Sequence, residues 1–123
     1  NYKKLVLVGH SGGGTIATIL AAKISSVSHL ITLSANLDHQ AWTQHFDYLP
    51  LTQSLNAVAY LPLRDDIVRR HFIGDKDLVI PWRLHYRAAE KDMGSEFFLM
   101  EGFDHNCCWG RMWGDTLSQL NLH

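Results

Sequence analysis

The sequence predicts an α/β fold, a mostly parallel sheet with flanking helices, and three observations predict it. Short apolar runs rich in β-branched and aromatic residues recur at "LVLV", "HLITLSA", "VRRHFI" and "SEFFLME". Between them lie segments whose apolar residues repeat at helical spacing. The first run ends abruptly in "GHSGGG", a glycine-rich turn that leads into a helical segment. Strands that alternate with helices pair in parallel through right-handed crossovers, so these pieces assemble into one sheet.

Taken in order, Leu5 to Val8 are continuously apolar, the pattern of a strand buried on both faces. Thr15 to Ile24 follow as a helix whose Ile16, Ala17, Ile19, Leu20, Ala21 and Ile24 make it apolar around much of its circumference. His29 to Ala35 form the second strand. Leu37, Ala41, Trp42, His45, Phe46 and Leu49 then recur at helical spacing, with Asp38 placed to cap that helix and Pro50 to interrupt it. Leu51 to Asp66 lack a clear period, and residues 37–66 together read as a cap-like insertion within one domain spanning residues 1–123. The third strand ends near Ile73, and Gly74-Asp75-Lys76-Asp77 turn the chain above the sheet. Pro81 precedes a helix over Arg83 to Met93, where a missing amide is harmless, and Gly94 ends it. After the fourth strand, "GFDHNCCW" is a loop, and Trp109, Met112, Trp113, Leu117 and Leu120 mark one face of a last helix.

Composition excludes several classes of function. The 11 Lys and Arg against 12 Asp and Glu leave a formal charge of −1, with no block of one sign to attract nucleic acid or an anionic membrane. No apolar run reaches the roughly 18 residues of a membrane-spanning helix. Cys107 and Cys108 are adjacent, with Cα atoms about 3.8 Å apart across a trans peptide, below the usual disulfide range, so free thiols are expected. The eight histidines form no zinc-binding spacing, and neither a metal nor a cofactor is implied.

The chemistry concentrates at Gly9-His10-Ser11-Gly12-Gly13, which fits G-x-S-x-G. A serine between strand and helix must adopt strained backbone angles, and small flanking residues let the turn close. Its Oγ then stands exposed at the C-terminal edge of the sheet, and the amide of Gly12 aims at developing negative charge. Its three defined positions are matched somewhere by chance in roughly 4% of chains this long, so the motif alone is weak. A phosphate-binding loop is the rival, but it would need the lysine of the P-loop or the spacing G-x-G-x-x-G, and both are missing here. A serine hydroxyl also needs a base, and the base an orienting acid. Asp77 and His105 follow in that order, each on a loop after a parallel strand and hence at the same edge as Ser11.

"GHSGG", "GDKDLVIP" and "GFDHN" together resemble the α/β-hydrolase fold family, whose triad runs serine, acid, histidine along the chain. The resemblance implies Ser11 as nucleophile, Asp77 as orienting acid, His105 as general base and Gly12 as an oxyanion-binding amide. Asp75 competes with Asp77, which matches the family's spacing, whereas Asp75 suits the turn itself. Asp104 is expected to point away from His105, His10 to pack beside the elbow, and Trp42, Phe46, Trp109 and Trp113 to serve packing rather than substrate. Members of this family carry several strands before the elbow and an early loop that supplies a second oxyanion donor. This sequence opens on the elbow strand, so it reads as the C-terminal portion of such a fold, able to pair with a copy of itself or with a missing N-terminal half. The expected activity is hydrolysis of a carboxylic ester or related small acyl substrate through an acyl-enzyme. The alternative is a catalytically silent binding or interaction module on the same fold, and activity of a longer chain discriminates between the two.

Overall fold

The computed structural model describes residues 5–112 and 114. Four strands, β1 (Leu5–His10), β2 (Val27–Leu33), β3 (Val68–Gly74) and β4 (Glu96–Met100), form one sheet in the order β1-β2-β3-β4. Every neighbouring pair is parallel, as the alternation of strands and helices predicts. Between the strands lie the helices α1 (Gly12–Lys23), α2 (His39–His45) and α3 (Trp82–Ala89), with one 3-10 turn at Ala57–Tyr60. The register sets His10 opposite Leu33, Leu33 opposite Phe72, and Gly74 opposite Met100. The loops after β1, β3 and β4 therefore leave the sheet at one common edge.

Alternation along β2 divides the core between the two faces of the sheet. Leu30 packs with Ala17, Ala21, Val27, Leu63 and Ile67 on the face that α1 covers. Ile31 and Leu33 pack with Phe72 and Trp109 on the other. The apolar circumference expected for α1 is only partly buried. Ala17, Ile19 and Ala21 are buried against the sheet and the 3-10 turn, but Ile16, on another side of the helix, is 61% exposed.

Two helices end earlier than their periodicity predicts. Asp38 caps α2 as expected, its carboxylate accepting from the Ala41 amide at 3.2 Å, but α2 stops at His45, before Pro50. The chain reverses at Asp47, whose φ is 56°. Beyond α3 it continues in tight turns, Lys91 N–H to Ala88 O and Asp92 N–H to Ala89 O, instead of running helically to Met93. The Asp92 side chain is thereby carried into the interior.

Inside, the Asp92 carboxylate accepts from the Arg69 guanidinium at 3.1 Å, from His71 Nε2 at 2.9 Å and from the Leu63 amide at 2.9 Å. His71 Nδ1 lies 2.7 Å from Thr32 Oγ1. Because the carboxylate can only accept, Nε2 carries a proton and donates it to Asp92. This is an acid-histidine-hydroxyl line with no route to solvent, since Asp92, His71 and Thr32 are all fully buried. It is a structural clamp between β2, β3 and the chain after α3.

The last helix holds residues 109–112 and 114 among those described, with Trp109 buried and Met112 packed against its cluster. Trp113, Leu117 and Leu120 lie outside the described residues. The expectation of free thiols is corrected: Cys107 and Cys108 are joined as a disulfide, and the peptide between them is cis, not the trans bond on which the distance argument rested.

Candidate active site

The turn from β1 to α1 places Ser11 at φ 56° and ψ −123°, a conformation that side-chain-bearing residues rarely adopt. Three backbone hydrogen bonds hold it there: the Ser11 amide donates to Leu33 O at 2.9 Å, and Ser11 O accepts from the Gly14 and Thr15 amides at 3.0 and 3.4 Å. Glycines make the crossing possible, although not quite those the motif suggests. A Cβ at Gly9 would collide with the carbonyl of Gly13, and one at Gly14 would collide with the side chain of Ala35. At Gly13 a Cβ would meet nothing within 4 Å. Gly13→Ala is therefore expected to leave stability unchanged or raise it by up to about 1 kcal/mol. Gly14→Ala should destabilise by about 1–3 kcal/mol through overpacking. Urea denaturation of the two variants checks the contrast.

Gly74 does similar work at the end of β3. A Cβ there would strike the Phe103 carbonyl, the same atom that accepts the Lys76 amide at 2.9 Å. Its absence lets the loop after β3 and the loop after β4 run side by side. Asp77 and His105 are carried on these two loops, and the close approach brings them into contact.

His105 Nδ1 lies 2.9 Å from Asp77 Oδ2, and His105 Nε2 lies 2.9 Å from Ser11 Oγ. The second oxygen of Asp77, Oδ1, accepts from the amides of Val79 and Ile80 at 2.9 and 2.8 Å. The Asp77 side chain is fully buried and that of His105 is 14% exposed. The carboxylate can only accept, so Nδ1 carries the ring proton and Nε2 is left to accept from the serine hydroxyl. This tautomer suits proton transfer away from Ser11. Gly12 is the first residue of α1, where an amide has no partner within its own helix and is free to donate to an anion.

The structure brings Ser11, Gly12, Asp77 and His105 together and gives Asp75 and Asp104 other partners. Asp75 Oδ1 accepts from the Gly102 amide at 2.9 Å, joining the loops after β3 and β4. Asp104 Oδ1 accepts from the amides of Asn106 and Cys107, and these bonds hold its carboxyl below the usual carboxylate range. Trp42 donates from its indole to Val79 O at 2.8 Å, tying α2 to the loop that carries Asp77. His10 lies beside the elbow, and its Nε2 is 2.6 Å from His105 O. Neither of these two contacts was legible in the sequence, since each runs from a side chain to a distant backbone carbonyl.

A pocket of about 470 Å³ opens beside Gly12. One wall is α1, with Ile16, Ile19 and Leu20, and the other includes Leu51 and Leu55. Among the described residues no group of three His, Cys, Asp or Glu is placed to hold a metal ion.

No family profile and no curated protein sequence matches the chain. Solved structures do. An α/β hydrolase from the metagenome of sediments of the Mar Chica lagoon in Morocco superposes with a TM-score of 0.68 at 16% identity, covering 98% of this chain and 64% of its own. The esterase domain of a Rhodothermus marinus protein gives a TM-score of 0.73 at 16% identity over 94% of this chain and 59% of its own. A Pyrococcus furiosus esterase gives 0.73 at 12% identity over 97% of this chain and 52% of its own. The fold is that of the α/β hydrolases. The chain spans about half to two-thirds of the length of these structures.

Proposed function

We propose that the protein is a serine hydrolase of carboxylic esters or related acyl compounds. The observation that carries this reading is the unbroken line of hydrogen bonds from Asp77 through His105 to a serine held at positive φ between a strand and a helix. In the proposed reaction His105 Nε2 takes the hydroxyl proton as Ser11 Oγ attacks the carbonyl carbon. The carbonyl oxygen becomes an oxyanion facing the Gly12 amide. His105 then passes its proton to the departing alcohol as the C–O bond breaks, leaving the acyl group on Ser11. Water, deprotonated by His105, attacks the acyl-enzyme; the acid leaves and the proton returns to Ser11. Asp77 keeps Nδ1 protonated throughout and stabilises the imidazolium.

The pocket beside Gly12 supports an ester with an apolar group, because Ile and Leu side chains stand on both sides of it, beside the polar Thr15, Asn36, His39 and Ser54. Residues 37–66 serve as the cap in this reading, since Leu51 and Leu55 lie across that pocket from α1. A specific observation keeps the non-catalytic alternative in view: Gly12 is the one oxyanion donor assigned among the described residues, and removing a single donor from such a site lowers kcat about 10²- to 10³-fold. β1 is also an edge strand here, with Leu5 and Val8 each 39% exposed, which supports pairing with a further segment of polypeptide or a second copy.

A fluorophosphonate probe decides between activity and silence. It is expected to label the protein at Ser11, located by peptide mass spectrometry, and to leave Ser11→Ala unlabelled. Native protein that resists the probe and turns over no ester would overturn the hydrolase reading.

A further inference from the structure

Of the two polar residues at the elbow, Ser11 has a role in the proposed chemistry and His10 has none. We propose that His10 is a positioning residue that anchors the main chain of His105, an inference that rests on the proposed role of Ser11 and His105. The His10 Nε2 to His105 O contact is 2.6 Å, and the two rings lie 5.2 Å apart. A carbonyl only accepts, so His10 Nε2 carries the proton and donates it. His10 ends β1 and pairs in register with Leu33, so its own backbone is set by the sheet. Consecutive residues of the elbow thus hold His105 at two points, Ser11 at the ring and His10 at the backbone.

The hydrogen bonding of the His105 loop makes this anchor consequential. Upstream, Gly102 and Phe103 are bonded to the loop after β3, through Asp75 Oδ1 and the Lys76 amide. From Asp104 to Cys107 the bonds close on the loop itself: the Asp104 amide donates to Cys107 O, and Asp104 Oδ1 accepts from Asn106 and Cys107. Apart from the bonds of the His105 ring, the described tie from this stretch to the sheet is the one to His10. Without it the loop can shift relative to β1 while remaining folded, and the distance from Nε2 to Ser11 Oγ shifts with it. Displacement by about 1 Å in such a site can lower the rate as much as 10²-fold.

The test uses the longest natural form of the protein. His10→Phe keeps a flat ring and removes the donor; it is expected to lower kcat about tenfold while KM changes less than about twofold, because substrate binding does not involve this bond. His10→Gln restores an N–H donor and should recover kcat to within about threefold of the native protein. Equal kcat in His10→Phe and native protein, or equal loss in the Phe and Gln variants, would overturn the proposal. The tether is also read without activity. In ¹⁵N-histidine-labelled protein, neutral His10 should show the Nε2–H tautomer, and amides 104–107 should exchange faster in His10→Phe. An Nδ1–H tautomer or unchanged exchange would sink the tether even if the hydrolase reading stands. Failure of Ser11 to label, with the tautomer and exchange as expected, would sink the hydrolase reading and leave the tether in place.

Discussion

Asp77→Asn is expected to lower kcat for ester hydrolysis by about 10⁴-fold with little change in stability, as loss of the correct histidine tautomer does in serine triads. The local hydrogen bonds give the reason. Asp77 Oδ1 is held by the amides of Val79 and Ile80, so an asparagine would turn its carbonyl oxygen to those donors and present its NH₂ to His105 Nδ1. His105 would then have to accept at Nδ1 and carry its proton on Nε2, where it can no longer take the proton of Ser11. Asp75→Asn is the control. Asp75 Oδ1 accepts only the Gly102 amide among the described contacts, and asparagine can accept it equally well. Its kcat is expected within a few-fold of native. Steady-state kinetics of both variants with a chromogenic ester measure the difference. If Asp75→Asn carried the larger loss, the assignment of the orienting acid would be reversed.

The contrast between these two aspartates shows what a sequence can and cannot disclose. The order of strands, the elbow and the loops that carry Asp77 and His105 were legible because each has a local signature: apolar runs, a glycine-flanked serine, and chain reversals after strands. Parallel pairing then places the loops on one edge without further information. Less legible was which glycine the elbow needs. The motif names Gly13, yet the close contact falls on Gly14, because Ala35, just beyond the end of β2, lies against it. The end of α2 was hidden for a related reason, since the reversal at Asp47 precedes Pro50, the residue that signals a stop. Least legible was the interior of "VRRHFI". Its Arg69 and His71 look like interruptions of an apolar strand until Asp92, 23 residues beyond Arg69, is found against them. A polar residue in a strand declares its partner only in three dimensions.

That buried cluster carries the largest stability effects. Burial pushes the Asp92 carboxyl up, but the hydrogen bonds from His71, Arg69 and the Leu63 amide outweigh it and hold the group below the usual carboxylate range. Its contribution is present above an unfolded value of about 3.9 and is lost as pH falls through the folded value. Asp92→Ala leaves the Arg69 guanidinium buried without a counter-charge and is expected to destabilise by about 3–5 kcal/mol, enough to unfold a marginal domain. His85 acts over a higher range. Its ring is buried, both nitrogens lack a hydrogen-bond partner among the described residues, and His71 lies 6.4 Å away. Burial, with His71 adding to it, lowers its pKa to about 3. Between pH 6.5 and about 3 the unfolded chain binds a proton that the folded chain refuses, so stability falls with pH across this window by about 1.4 kcal/mol per unit. His85→Leu removes that proton-binding site at similar volume and forfeits no hydrogen bond. It should change stability by less than about 1.5 kcal/mol at pH 8. At pH 5 it should be the more stable form relative to native by about 2 kcal/mol beyond any difference at pH 8. Urea titrations at the two pH values measure this, and parallel acid-side slopes for the native and His85→Leu proteins would show that the buried histidine is not what weakens the fold in acid.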